Sequence, residues 1–460
     1  MTLPSGTRTY AIETHSSYCT KGGIPMKILK TLCLILILAA LTNGAAAAET
    51  NITLWHSMSE QAGLLMDDLV REFNETAGKE AGIHVEAVFQ GKYSDATQKM
   101  NSILATGQYD TLPDVMQIDA TGKVAYAAAE TAYTVDMAVT DHPETDLSSM
   151  LAPAMANWNL AGRQLGLPFA TSTTMMFYNK TMLDAAGAAA PTTLADIGAL
   201  AGVLPEANED GQKITIFATL PNTPTLANWL GQLGSDLVDG HNGTEGTATK
   251  LACIDNGALL TFLKEWKALY STGALENAAD SADAFAAGQQ AILLSSTSHT
   301  TSIREKIGGR FEMGAAFYPK VNGDASTGAT VSGSCLVMFG TETEKKQAAW
   351  AFVTWLTGAE AQARLAAGTG YLPSNTLAAE SEAWKTLTAE YPQYAMGLAQ
   401  LMETPDSMRS VTVGPAADFY YAIQNDVSDM LASDLPPEET ADIMEEDLNG
   451  LLTQYLRANP

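Results

Sequence analysis

Residues 51–60 read NITLWHSMSE and begin an alternation of short apolar runs with helical segments that continues to residue 118. The run from Asn51 to His56 is apolar and β-branched, which is typical of a buried strand. Ser57 and Glu60 have the S-x-x-E spacing of a capping box, which predicts that a helix follows. Two further strands, over 84–89 and 113–118, are predicted to flank a second helix. Strands that alternate with helices predict an α/β fold with a parallel sheet.

The loops that follow these strands are the expected place for a ligand. In open parallel sheets, ligands bind beside the carboxyl ends of the strands, where the connecting loops gather. The first three predicted strands end at Ser57, at 90–93 and at 119–121.

The rest of the chain continues the alternation without an internal repeat or a long linker. Residues 167–180 read LPFATSTTMMFYNK and predict a strand with a polar patch over 171–174. Further strands are predicted over 214–217, 291–294, 313–317 and 336–339, and helices over 181–186, 257–270, 345–356 and from Pro436 to about 456. The length of 460 residues exceeds what one hydrophobic core usually serves and suggests two lobes.

The N-terminal segment has the pattern of an export signal. Met26, Lys27 and Lys30 precede an apolar run over 32–41, and small residues follow over 46–48. This run is far shorter than the ~20 residues that a membrane-spanning helix needs. We therefore predict a translation start at Met26 and cleavage after about Ala48, rather than a retained N-terminal anchor. The mature protein is expected to be periplasmic or extracellular.

The predicted mature chain is strongly acidic. It keeps 21 Lys and Arg (25 minus 4) and 51 Asp and Glu (52 minus 1), a formal charge of −30. Such a chain repels polyanions and has no basic stripe, so nucleic acid is excluded as a partner. Its two cysteines, Cys253 and Cys335, do not make a disulfide scaffold. A bridge between them and two separately buried thiols both remain open.

Several motifs together resemble a known family. They are Trp55-His-Ser-Met58, Gly91-Lys-Tyr93, Leu167-Pro-Phe169, Met176-Phe-Tyr-Asn-Lys180 and Gly370-Tyr-Leu-Pro373. Each motif is weak alone, but their order and spacing resemble the extracellular solute-binding proteins (family 1) of ABC importers. Within that family the chain is similar in particular to members that bind sn-glycerol 3-phosphate. The resemblance covers essentially the whole mature chain.

The resemblance implies a two-lobed, periplasmic-binding-protein-like α/β fold in which each lobe is a mainly parallel sheet flanked by helices. Residues 49–170 with 334–368 would form the N-terminal lobe, and 175–332 with 373–460 the C-terminal lobe. Three hinge crossovers would lie near 170–175, 331–336 and 367–375, with the ligand in the cleft between the lobes. The lobes would close on a small solute, and the importer's membrane subunits would recognise the closed form. We expect a monomer.

The resemblance also implies seven ligand contacts, which are Tyr93, Asp119, Ser172, Ser296, Gly333, Tyr371 and Arg409. Serine hydroxyls donate and accept hydrogen bonds, tyrosines join an apolar face to a polar tip, and a strand glycine lets backbone approach a solute. Arg409 is the strongest candidate, because a guanidinium forks onto phosphate or carboxylate and few cations are present in so acidic a chain. No metal and no cofactor are expected.

Simpler explanations exist for several of these residues. Tyr93 and Tyr371 could be ordinary rim packing, and Gly333 could serve only a β-bulge. Arg409 could pair with Asp406 on the surface, an interaction of little energetic consequence.

Two departures from the family pattern concern the solute. Ala120 stands where glycerol-phosphate binders have an acidic residue, so Asp119 would act from a neighbouring position. Residues 218–225 lack two tryptophans of those binders, and only Trp229 follows. The favoured solute is sn-glycerol 3-phosphate or a related glycerophosphodiester, and an oligosaccharide is the second possibility.

Other function classes have less support. The sequence contains no H-E-x-x-H helix, no G-x-S-x-G elbow and no P-loop, so we predict a binding protein and not an enzyme. A secreted hydrolase stays an alternative, because the absence of these motifs does not exclude catalysis, and the abundance of carboxylates does not discriminate between the two classes. A sensor or adhesion module on the same fold is a third class, because fold alone does not determine function.

Overall fold

The computed structural model describes residues 49–208, 211–405 and 407–459, and the predicted signal over 1–48 lies outside them. The strands in the described residues are β1 (Thr50–His56), β2 (Ile83–Phe89), β3 (Val115–Ile118), β4 (Ala132–Tyr133), β5 (Asn159–Leu160), β6 (Arg163–Gln164), β7 (Leu167–Asn179), β8 (Thr215–Ala218), β9 (Leu275–Glu276), β10 (Gln290–Ser296), β11 (Met313–Ala316) and β12 (Val331–Phe339).

The α-helices of the same residues cover Glu60–Glu75, Ala77–Ala81, Tyr93–Thr106, Lys123–Ala128, Val135–Asp141, Ala152–Asn157, Lys180–Ala185, Leu194–Ala199, Thr223–Gln232, Ala258–Ser271, Ala282–Ala286, Thr300–Ile307, Thr343–Leu356, Ala359–Gly368, Glu382–Glu390, Gln393–Glu403, Ala416–Ala432 and Pro437–Ala458. No helix in this part of the chain is long and apolar enough to cross a membrane.

The first three strands form the parallel sheet that their alternation with helices predicts. β1 lies between β2 and β3 and is parallel to both. Their carboxyl ends therefore meet at one edge, which carries Ser57 and Asp119. The strand–helix prediction for residues 51–118 is confirmed.

Two long strands cross between this group and a second group of strands. β12 is antiparallel to β3 at one end and to β7 at the other. β7 is 13 residues long, and its second half is antiparallel to β10 and β11. β10, β8 and β9 then continue as a parallel group. The sheet is thus mixed, with parallel outer strands and antiparallel strands at its centre.

The three predicted crossovers lie side by side. Beyond the pairing of β7 with β12, the Leu372 N–H donates to Thr171 O over 2.7 Å. The Ser374 hydroxyl donates to Phe169 O over 2.9 Å and lies 2.7 Å from Thr171 Oγ1. All these side chains are buried, so the hydrogen bonds satisfy groups that water does not reach.

The two largest hydrophobic clusters lie on opposite sides of these crossovers in the sheet order. One packs helices against β1 and β12 and includes Phe73 and Phe352. The other packs helices against β8 and β10 around Trp229 and Trp266. Burial of such side chains stabilises the fold by roughly 25 cal/mol per Å² of apolar surface. Trp229 is fully buried and stacks on Phe262.

The capping box predicted at Ser57 is wrong. The helix begins at Glu60 after Ser59, whose side chain makes no capping bond. The Ser57 N–H instead donates to Gln117 Oε1 over 3.0 Å. A contact between residues 60 positions apart thus replaces the local one.

Cys253 and Cys335 are both free and buried, in different hydrophobic clusters. Burial raises the pKa of the Cys253 thiol to about 12 and that of Cys335 well above its usual value. Of the two possibilities left open above, the structure has separate thiols.

Candidate functional site

Gln117 lies at the centre of a polar network at the carboxyl end of β3. Its Nε2 donates to Tyr93 Oη over 2.9 Å and to Ser334 Oγ over 2.8 Å, and its Oε1 accepts from the Ser57 N–H. The side chain is fully buried, where an amide is stable only with its hydrogen bonds satisfied. Gln117 therefore links the exit of β1, the helix that begins at Tyr93 and the crossing strand β12.

Tyr93 and Tyr371 lie together at the rim of this network, as the resemblance implies for a shared site. Burial and the neighbouring Tyr371 phenol raise the pKa of Tyr93 well above its usual value. Burial also raises the pKa of Tyr371, while a hydrogen bond with Tyr93 acts in the opposite direction. Both phenols consequently stay neutral near pH 7 and can donate as well as accept a hydrogen bond.

Asp119 follows Gln117 by two residues and is half-buried. Its Oδ1 accepts from the Thr121 N–H over 3.1 Å and from the Thr121 hydroxyl over 2.6 Å. Burial raises the pKa of this carboxyl, against the lowering effect of those bonds and of the Lys123 charge. Lys123 is fully buried, which lowers its pKa to about 8.

Ser172 and Gly333 lie on the paired crossovers β7 and β12, where Ser172 is opposite Ser332 and Gly333 is opposite Thr171. Ser172 Oγ lies 3.0 Å from Ser332 Oγ. Gly333 has φ +97°, and a Cβ there would lie 1.9 Å from Ala170 O. The register shifts directly after Ser334. This backbone geometry requires a glycine and agrees with the β-bulge explanation, and a ligand contact by Gly333 stays a prediction.

Ser296 ends β10 and begins a tight turn beside the segment of Tyr371. Its Oγ lies 2.9 Å from Ser298 Oγ. A Cβ on Gly370 would lie 2.1 Å from Thr297 O, so the residue before Tyr371 is in backbone contact with this turn. The structure therefore brings Ser296 near the third crossover.

Arg409 lies in the irregular segment between the helices that end at Glu403 and begin at Ala416. It is half-buried, and its guanidinium Nη1 is 3.4 Å from Met408 O. Among the described residues it forms no ion pair. Residue 406 lies outside them, so the alternative pairing with Asp406 stays a prediction. The neighbouring Ser410 hydroxyl is 2.8 Å from Val331 O, which ties this segment to the start of β12.

Sequence reasoning missed Gln117 and Ser334. Both are fully buried polar residues within apolar strands. Gln117 donates to Tyr93 and to Ser334. The available signal was the single amide in the apolar run over 113–118. A polar side chain at a core position needs a hydrogen-bond partner, and that partner was 217 residues away.

Comparison with known proteins defines the class of protein. The model of the family described as bacterial extracellular solute-binding protein matches residues 68–394. The chain belongs to this family. The fold is that of the two-lobed periplasmic binding proteins, as the sequence predicts.

Two curated relatives carry the same name. The sn-glycerol-3-phosphate-binding periplasmic protein UgpB of Yersinia pseudotuberculosis is 24% identical over 384 residues, which are 82% of this chain and 85% of that protein. UgpB of Salmonella typhimurium is 22% identical over 442 residues, which are 94% and 99% of the two chains.

Solved structures support the same fold. UgpB of Mycobacterium tuberculosis, in complex with glycerophosphocholine, has a TM-score of 0.71 and 19% identity and covers 88% of this chain and 99% of its own. The cyclic alpha-maltosyl-1,6-maltose binding protein of Arthrobacter globiformis has a TM-score of 0.73 and 18% identity, with coverage of 88% and 100%.

Proposed function

We propose that this protein captures sn-glycerol 3-phosphate or a glycerophosphodiester outside the cytoplasm and delivers it, unchanged, to the membrane subunits of an ABC importer. One observation carries the proposal. The crossing strand β12 contacts the Tyr93–Gln117 network through Ser334 and the Arg409 segment through Val331. A source of hydroxyl donors and the segment that carries Arg409 are thus both attached to the same strand.

This combination of groups suits a phosphorylated polyol. The guanidinium of Arg409 would bind the phosphate oxygens in a forked arrangement. The neutral hydroxyls of Tyr93, Tyr371, Ser172 and Ser296 would serve the glycerol hydroxyls, each of which both donates and accepts. Asp119 would accept from one of those hydroxyls.

An oligosaccharide is the second candidate, since sugar-binding proteins share the fold. Sugar sites often use exposed aromatic faces. Here six of the seven tryptophans are buried, and the seventh, Trp355, is half-buried against Phe73 with ring centroids 5.4 Å apart. Trp229, which follows the segment without tryptophans, is in the core. The smaller, anionic solute is therefore favoured, and the two UgpB relatives support it.

The proposal includes the organisation predicted from the sequence. The signal would be removed after about Ala48, and the mature protein would act as a monomer. The lobes would comprise 49–170 with 334–368 and 175–332 with 373–460, and closure at the three crossovers would follow from tighter binding of solute by the closed form.

Titration calorimetry of the chain from Glu49 tests the proposal. We expect binding of sn-glycerol 3-phosphate or of a glycerophosphodiester, weaker or no binding of glycerol and maltose, and no product over the same period. Arg409→Ala should weaken binding by ~2–5 kcal/mol, because a buried charged hydrogen bond is lost. Arg457→Ala, at an exposed position in the last helix, is the control. Binding of maltose alone would favour the oligosaccharide, and product at catalytic rates would favour a hydrolase.

A further inference from the structure

Residues 240–243 form a left-handed turn that packs against the Arg409 segment. Their φ angles are 64° at Gly240, 54° at His241, 56° at Asn242 and 74° at Gly243. Residues with a Cβ avoid this region because the Cβ approaches a carbonyl oxygen. Two consecutive non-glycine residues therefore need surrounding contacts that hold them there, and such strain is concentrated at functional sites.

The side chain and backbone of Asn242 supply those contacts. Asn242 is 3% exposed. Its Oδ1 accepts from the backbone N–H of Leu237 over 2.7 Å and of Val238 over 3.3 Å. Its Nδ2 donates to Arg409 O over 2.9 Å, and its own carbonyl accepts from the Thr412 N–H over 2.8 Å. One asparagine thus bonds to both ends of the segment 409–412.

The segment 409–412 has no helix or strand of its own, so these bonds determine where it lies. A Cβ on Gly243 would be 2.0 Å from Thr412 O, which shows how closely the turn and the segment approach. On the other side, Ser410 Oγ is 2.5 Å from Asn157 Oδ1 and 2.8 Å from Val331 O. The backbone that carries Arg409 is therefore held between the turn and β12.

We infer that Asn242 is a positioning residue for Arg409 and thereby sets the affinity for solutes with an anionic phosphate group. The inference rests on the proposed function, in which Arg409 binds that group. The amide of Asn242 fixes the carbonyl of Arg409 itself, so the guanidinium extends from a defined point. A group that is already in place loses less conformational freedom when the ligand binds, which strengthens binding. The left-handed turn is the geometry that aims this amide at Arg409 O.

Substitutions of Asn242 test the inference, with sn-glycerol 3-phosphate as the probe in titration calorimetry. Asn242→Asp keeps an acceptor for the turn but replaces the donor to Arg409 O by a second acceptor. We expect at least a tenfold loss of affinity. Asn449→Asp makes the same change at a side chain that accepts from Leu251 N over 2.8 Å, and it should leave the affinity within twofold. Asn242→Gly adopts the left-handed turn without strain and should show a similar loss, so the test holds if the aspartate variant does not fold.

A double substitution separates positioning from general stabilisation of the fold. If Asn242 acts through Arg409, then Arg409→Gln combined with Asn242→Gly should bind less than twofold more weakly than Arg409→Gln alone. Independent losses that multiply in the double variant would overturn the inference. The inference would also be overturned if Asn242→Asp and Asn242→Gly both bound sn-glycerol 3-phosphate with wild-type affinity while Arg409→Gln bound it more weakly. A wild-type protein that binds neither sn-glycerol 3-phosphate nor a glycerophosphodiester would instead overturn the proposed function, and this inference with it.

Discussion

Replacing Gln117 by methionine removes the centre of the polar network while keeping the volume of the side chain. A cavity term is therefore small, and the loss is mainly one of hydrogen bonds. The Ser57 N–H loses its acceptor, which costs ~1–3 kcal/mol for a buried group. Tyr93 and Ser334 each lose a bond that contributes ~0.5–1.5 kcal/mol, and the hydrogen bond that they already share limits the loss. We expect the free energy of unfolding to fall by ~2–4 kcal/mol.

The matched control is Gln232→Met. Gln232 is also buried, and its amide bonds to the Val321 N–H and to Gly328 O, both over 3.1 Å. Urea unfolding should show a similar loss of stability for both variants. Calorimetry with sn-glycerol 3-phosphate should show at least a tenfold loss of affinity only for Gln117→Met. A loss of stability below ~1 kcal/mol would show that the hydrogen bonds of Gln117 contribute less to stability than expected. Equal affinity of the two variants would refute the placement of the network at the site.

Two further predictions concern the fold. Gly333→Ala should lower the free energy of unfolding by more than ~3 kcal/mol, because its Cβ would clash with Ala170 O at φ +97°. Gly82→Ala, at φ +68° in open space, should lower it by only ~1–2 kcal/mol, and equal losses in urea unfolding would contradict the clash. Burial raises the pKa of Asp280 to about 7, so the folded protein keeps a proton that the unfolded chain loses near pH 4. The contribution of Asp280 to stability therefore falls as the pH rises from about 4 to about 7, by at most ~1.4 kcal/mol per pH unit. Asp280→Asn should gain stability relative to wild type across that range, and a pH-independent difference between them would argue against the raised pKa.

Sequence patterns predicted the elements whose signal is local. The strands over 51–56 and 84–89 and the helix from Tyr93 follow from apolar periodicity within a few residues. The capping box predicted at Ser57 does not form, because a distant residue competes with the local partner. A local motif competes with every other partner in the folded chain, and here the amide of Gln117 takes the Ser57 N–H.

The candidate site also contains residues that could be selected from the sequence and residues whose role only the fold shows. Tyr93 and Tyr371 were selected by resemblance, and the fold places them together. The role of Gln117 could not be predicted, because its partner Ser334 is reached only when β12 crosses beside β3. Gly333 was selected as a ligand contact, which stays a prediction, and the close approach of its backbone to Ala170 O is visible only in the fold.

By itself, the sequence determined the α/β class and the family, since periodicity and motif order need no long-range contact. Tertiary structure alone decided that the sheet is mixed and that Cys253 and Cys335 are separate thiols. It also decided that Asn242 holds the segment of Arg409. These features depend on which distant backbone groups meet. The topology of the chain determines which distant groups are in contact, and a short window of sequence does not contain that information.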